Sequence, residues 1–213
     1  MHYNGLMFSI VIQAGGESTR MGEDKALLPF LGQPLIKRIY HSFQDLGDEL
    51  LVITNQPEGY QFLPVPLIQD LIPGRGALGG LYTALQAASH PLIGLVACDL
   101  PFASPELLDH CRQVLEATGA DGVIPSDEGG IQPLHAVYRV KTCLPLVHKA
   151  IVQDKWRMIS WHAQAQIKIL SPQRTRKVSG SPHTFQNVNT PEDFRKAQRR
   201  ARQTDSRGDH TSA

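Results

Sequence analysis

Short apolar, β-branched runs recur along the chain at 8–12 (FSIVI), 49–54 (ELLVIT), 65–70 (VPLIQD), 92–99 (LIGLVACD), 121–126 (DGVIPS), 134–139 (LHAVYR) and 167–170 (IKIL). Most lack an in–out alternation of apolar and polar positions, which predicts strands buried on both faces. Between them the apolar spacing turns helical. Leu35, Ile36, Ile39, Tyr40 and Phe43 share one face of a segment that stops at Gly47. A second helix opens on Ser104 as its N-cap, with Pro105 in the first position and Glu106 in the first turn, and closes at Gly119. Thr190, Pro191 and Glu192 repeat that grammar. Alternating strands and helices predict an α/β fold, a three-layer α/β/α sandwich around a mainly parallel sheet. The expected extent is a single domain over 1–198, followed by a polar, disordered tail over 199–213. Ligands of such sheets sit beyond the carboxyl ends of the strands, which tells where the chemistry should lie.

Composition narrows the field. The 213 residues carry 21 Lys and Arg against 20 Asp and Glu, a balance that argues against a nucleic-acid-coating protein. It leaves room for a basic pocket that takes a small anion. Three widely spaced cysteines, Cys98, Cys111 and Cys143, suggest neither a disulfide framework nor a zinc site and fit a reducing compartment. No apolar run approaches the ~20 residues of a membrane span, and the N-terminus lacks the pattern of a signal peptide. The expectation is a cytoplasmic protein with no membrane partner.

The first strand runs into Gly15 and Gly16, and the loop then supplies Arg20, Gly22 and Lys25. Glycine amides without a Cβ can form a nest for an anion, and two cations within reach complete what a polyphosphate site requires. The spacing fits neither G-x-x-x-x-G-K-[ST] nor G-x-G-x-x-G. Asp99 ends the fourth run, where an unpaired buried carboxylate would be costly. It either caps something local or meets a cation; the next helix has its own cap in Ser104. Asn55 and Asp70 close the second and third runs, so polar residues line one rim of the sheet. Residues 74–85 form a second glycine-rich turn entering a helix. Gly79 and Gly80 there serve either close approach to a flat ligand or tight packing of helix on sheet. Asn187 and Asn189 precede the last capped helix, a place where turn chemistry alone explains an asparagine.

Taken in order, AGGESTRMGEDKALLPFLGQPLI, GALGGLYTAL, ACDLPF, QPLHAVYR and FQNVNTPEDF make the sequence resemble the molybdenum cofactor guanylyltransferases, over roughly residues 8–197. The resemblance implies a Rossmann-like nucleotidyltransferase fold and transfer of GMP from GTP to the terminal phosphate of molybdopterin, with release of pyrophosphate. It implies that Gln13, Ala14, Gly15 and Gly16 meet the nucleotide, and that Lys25, with Arg20, neutralises its phosphates. Asn55 and Asp70 would contact the nucleoside, Gly79 and Gly80 would line the base pocket, and Asp99 would bind Mg2+. Asn187 and Asn189 would lie on the acceptor side. Implied partners are GTP, molybdopterin and, transiently, molybdopterin-delivering or molybdoenzyme-maturation proteins. Two departures stand out: Gln13 where the family has leucine, and GRGALGG where it has G-P-L-G-G or G-P-L-A-G.

Three rival readings share these residues. A molybdopterin cytidylyltransferase would use the same chemistry on a smaller base, but such relatives tend to A-A-G where this chain has Ala14, Gly15 and Gly16. A sugar-phosphate nucleotidyltransferase would need a sugar-binding insertion for which the chain has little room. A non-catalytic nucleotide sensor or cofactor carrier would leave Asp99 without a task.

Overall fold

The computed structural model describes residues 7–14 and 24–208 of the chain. Strand β1 (Phe8–Gln13) is buried at every position, so its two faces must each meet a layer of helices. Phe8, Ile10 and Ile12 enter one apolar cluster and Val11 the other, as the period of two dictates. The main sheet adds β4 (Glu49–Ile53), β5 (Leu67–Ile68), β6 (Leu92–Ala97), β7 (Gly122–Asp127), β9 (His135–Arg139) and β10 (Ile167–Leu170). Two short hairpin pieces, β2 (Pro29–Phe30) and β3 (Gln33–Pro34), pair with each other, and β8 (Gly130–Ile131) pairs with β7. The strand order is β10-β7-β9-β6-β1-β4-β5. Every neighbouring pair is parallel except those of β9, which runs against both β6 and β7. All seven sequence-predicted runs are therefore strands of one mainly parallel sheet.

Helices α1 (Leu35–Phe43) and α3 (Pro105–Thr118) cover one face; α2 (Gly76–Ala87) and α4 (Val140–Val152) cover the other. Ser104 caps α3 by accepting from the Leu107 amide at 3.1 Å, and Gly119 closes it in the left-handed region. Helix α5 (Pro172–Ser179) uses the same device, with Ser171 as cap and Gly180 as stop. The sequence reading assigned neither α5 nor α4, which carries Pro145 inside the helix.

The expected tail is corrected over 199–208. Helix α6 runs Pro191–Gly208, because Ala197 and Ala201, one turn apart, are buried against Phe30, Leu35, Val188 and Phe194. This third cluster fixes the segment just before α6 against the hairpin β2–β3, which matters for the site.

Two positions make the packing testable. Gly94 lies where a Cβ would stand 2.6 Å from Phe8 Cζ and 2.8 Å from Leu108 Cδ2. Gly94→Ala overpacks the sheet–α3 interface and is expected to cost about 1–3 kcal/mol, read as a lower urea midpoint. His135 is fully buried, its Nε2–H donating to the Ser104 carbonyl at 3.2 Å, and burial pushes its pKa down to about 4. The unfolded chain takes up a proton below pH ~6.5 that the folded chain refuses until about pH 4. Stability should therefore fall by up to about 1.4 kcal/mol per pH unit across that window and gain nothing from His135 above it. Denaturant melts between pH 7 and 4 should show the slope, and His135→Gln should flatten it.

Candidate active site

At the carboxyl rim the chain ends are tied directly into a cleft. The Ala14 amide donates to the Ile53 carbonyl at 2.8 Å, and the Cys98 amide donates to the Gln13 carbonyl at 3.1 Å. Beyond these ties β1 and β6 open around a cleft of about 230 Å³, lined by Gln13, Ala14, Asp24, Lys25, Gly76, Ala77, Ala97, Cys98, Asp99 and Leu134.

The 3-10 turn Lys25–Leu27 presents the lysine. Asp24 caps it, with Oδ1 accepting from the Ala26 amide at 3.0 Å. Lys25 Nζ reaches across to donate to Asn189 Oδ1 at 3.0 Å. The same segment touches the opposite wall, where the Val188 amide donates to the Asp99 carbonyl at 3.0 Å. Residues 188–189 thus strap the lysine turn to the aspartate turn, and the buried Val188 anchors the strap in the α6 cluster.

Asp99 is half-buried, and burial raises its carboxyl above the usual aspartate range, while the Lys25 charge pulls it back down. Its negative charge is therefore costly as the chain stands and favourable once more positive charge enters the cleft. Next to it, burial above all, then the Asp99 charge, holds the Cys98 thiol protonated, far above its ordinary range.

The sequence-predicted residues divide. Gln13, Ala14, Lys25 and Asp99 share the cleft, and Asn189 joins them through Lys25. Asn187 is exposed two residues before Asn189. Gly15, Gly16 and Arg20 lie outside the described residues. Asn55 is exposed on the turn after β4 and Asp70 lies beyond β5; neither is among the described lining. Asp70 instead anchors α2, its Oδ1 accepting from Thr83 Oγ1 at 2.8 Å and from the Ile72 amide at 3.0 Å.

Gly79 and Gly80 are also placed differently from the expectation. Both are buried within α2, and the cleft wall is formed one turn earlier by Gly76 and Ala77. A Cβ on Gly80 would stand 1.9 Å from Gln13 Nε2, and one on Gly79 would stand 2.9 Å from the Ile72 carbonyl. Close packing of helix on sheet accounts for Gly80, and packing against the loop that precedes α2 accounts for Gly79. The sequence reading also passed over Asp24, although an aspartate directly before a short turn is a readable N-cap signal.

The family model of the MobA-like NTP transferase domain matches residues 10–166. A protein named probable molybdenum cofactor guanylyltransferase from Carboxydothermus hydrogenoformans is 34% identical over 88% of this chain and 93% of its own. The molybdenum cofactor guanylyltransferase of Desulfosudis oleivorans is 30% identical over 88% of this chain and 93% of its own. In three dimensions, molybdopterin-guanine dinucleotide biosynthesis protein A from Archaeoglobus fulgidus superposes with a TM-score of 0.81 at 23% identity, over 92% of this chain and 99% of its own. That likeness supports the mainly parallel, helix-flanked fold. The family model and the sequence relatives, each spanning most of the chain, settle the lineage: this chain belongs to the MobA-like NTP transferases, among the molybdenum cofactor guanylyltransferases, and is a nucleotidyltransferase.

Proposed function

We propose that the protein transfers GMP from GTP to the terminal phosphate of molybdopterin, forming the guanine dinucleotide and releasing pyrophosphate. The observation that carries this reading is the single cleft shared by Lys25 and Asp99 at the carboxyl rim, with the Asn189 segment bridging them. Relatives bearing the guanylyltransferase name supply the choice of base and acceptor.

An acceptor phosphate oxygen attacks the α-phosphorus, the α–β bridging P–O bond breaks, and its electron pair leaves with pyrophosphate. A phosphate monoester, with its second pKa near ~6, is already a dianion near neutral pH, so no side chain need take a proton. The obstacle is repulsion between two anions. Lys25 would hold the polyphosphate, with Arg20 and the amides of Gly15 and Gly16 adding to it. Opposite unit charges about 4 Å apart attract by roughly 4 kcal/mol at an effective dielectric near 20, against about 1.4 kcal/mol per tenfold in rate. Positioning and charge neutralisation therefore suffice as catalysis.

Asp99 suits magnesium: its carboxylate is an oxygen donor whose charge the cleft disfavours until a cation arrives. Among the described residues no group of three metal-binding side chains exists, so substrate phosphates and water would complete the coordination. When bound, Mg2+ would neutralise charge developing on the phosphate oxygens. Gln13, Ala14, Gly76 and Ala77 would flank the nucleotide, and Asn187 and Asn189 would face the acceptor. The setting is cytoplasmic, with acceptor delivered through transient contact with molybdopterin-carrying or molybdoenzyme-maturation proteins. Among the described residues no helix is long and apolar enough to cross a membrane.

Lys25→Ala and Asp99→Asn should each lower turnover at least about a hundredfold, the scale of losing one preorganised charge. Asp99→Asn should also leave the melting temperature unchanged or raise it, because it removes a carboxylate whose charge is disfavoured by burial. Pyrophosphate release and thermal melts on the same preparations test both. In a thermal-shift panel of the four nucleoside triphosphates, GTP with Mg2+ should give the largest shift. A larger shift with CTP would overturn the choice of base.

A further inference from the structure

The lysine turn contains a charge that ought to interfere with it. Asp24 and Lys25 line the same cleft, and a carboxylate beside an ammonium is its natural partner. An ion pair between them would withdraw the cation that a polyphosphate needs. Yet Lys25 Nζ donates to the neutral Asn189 amide oxygen, and among the described residues no ion pair joins it to a carboxylate.

The reason lies in what Asp24 already holds. Its Oδ1 accepts from the Ala26 amide at 3.0 Å, and its Oδ2 accepts from the Tyr60 hydroxyl at 2.6 Å. Tyr60 ends the 3-10 turn Pro57–Tyr60, which follows β4, so the contact crosses 36 residues of sequence. The phenol ring is 0% exposed, packed in the cluster that includes Ala26 and Leu63. Burial first, and the Asp24 bond second, keep its proton on, so it stands as a permanent donor. A hydrogen bond to an ionised acceptor is among the stronger kinds and directional enough to fix a carboxylate.

We propose that Tyr60 is a positioning residue: by occupying the second oxygen of Asp24 it keeps that carboxylate off the Lys25 ammonium and leaves the lysine available to a polyphosphate. The inference rests on the polyphosphate reading of the Lys25 cleft, and goes beyond it in giving the Asp24 charge a keeper. Movement of the Pro57–Tyr60 turn would be felt at the lysine through one hydrogen bond.

The test is titration of the full-length protein with inorganic pyrophosphate by calorimetry, using wild type, Tyr60→Phe, Asp24→Asn and the double variant. Tyr60→Phe should weaken pyrophosphate binding about tenfold with its circular dichroism spectrum retained. In an Asp24→Asn background, which has no carboxylate to release, the same change should cost less than twofold. A purely structural tyrosine would weaken binding equally in both backgrounds, and that result overturns the proposal. So does wild-type binding in Tyr60→Phe, or a wild-type protein that binds no pyrophosphate. A protein that follows the expected pattern but makes no guanine dinucleotide from GTP and molybdopterin refutes the proposed reaction and leaves this inference standing.

Discussion

Lys25 and Asp99 approach one another from opposite walls of a cleft, and the short strap of Val188 and Asn189 holds both. Neither charge is at ease there. Burial raises the Asp99 carboxyl above its usual range and the lysine pulls it back down, while the lysine is held by an amide oxygen that gives it no neutralising charge. The pair stands as a half-satisfied electrostatic arrangement, which in the proposed reaction a polyanion and a cation would complete together. Much of the surrounding structure reads as support for that arrangement: the capped Lys25 turn, the chain ends of β1 and β6 hydrogen-bonded to the mouth of the cleft, and the α6 cluster behind the strap.

The sheet provides the rigidity. Five strands side by side, from β9 to β5, carry the rim, and the central strand β1 is buried on both faces between two apolar clusters. Displacing its end would expose apolar surface at roughly 25 cal/mol for each Å². The polar chemistry is thus placed on loops while the positions of those loops are fixed by the core. Helix α2 approaches the sheet closely enough that the Gln13 side chain lies over Gly80, which brings Gly76 and Ala77 to the cleft wall.

How much of this was legible in the chain depended on how local the signal was. Strands β1, β6, β7 and β9 announce themselves as apolar runs, and α3 is spelled out by Ser104, Pro105 and Gly119. Helix α5 uses the same spelling at Ser171, Pro172 and Gly180, but its residues are so polar, with only Thr175 buried, that no apolar periodicity reveals it. Helix α4 is obscured by Pro145, and α6 hides its buried stripe, Ala197 and Ala201, among arginines and lysines. In the site, Lys25 and Asp99 were readable from the rule that ligands gather at strand ends. The departures came from residues whose tasks are set by distant neighbours: Asp70 by Thr83, Gly80 by Gln13 and Asp24 by Tyr60. The last two pairs lie 67 and 36 residues apart, beyond any reading window, and the first joins a loop to a helix, where periodicity carries no signal.

The thiol beside Asp99 has a consequence for the reactivity of the cleft. Cysteine coordinates soft cations and meets electrophiles as a thiolate, and burial beside a carboxylate suppresses that form of Cys98. The thiol is therefore a neutral neighbour of the aspartate and a poor nucleophile. A sulfur atom directly beside that aspartate is thus kept quiet toward electrophiles by burial, which also raises the aspartate's own carboxyl.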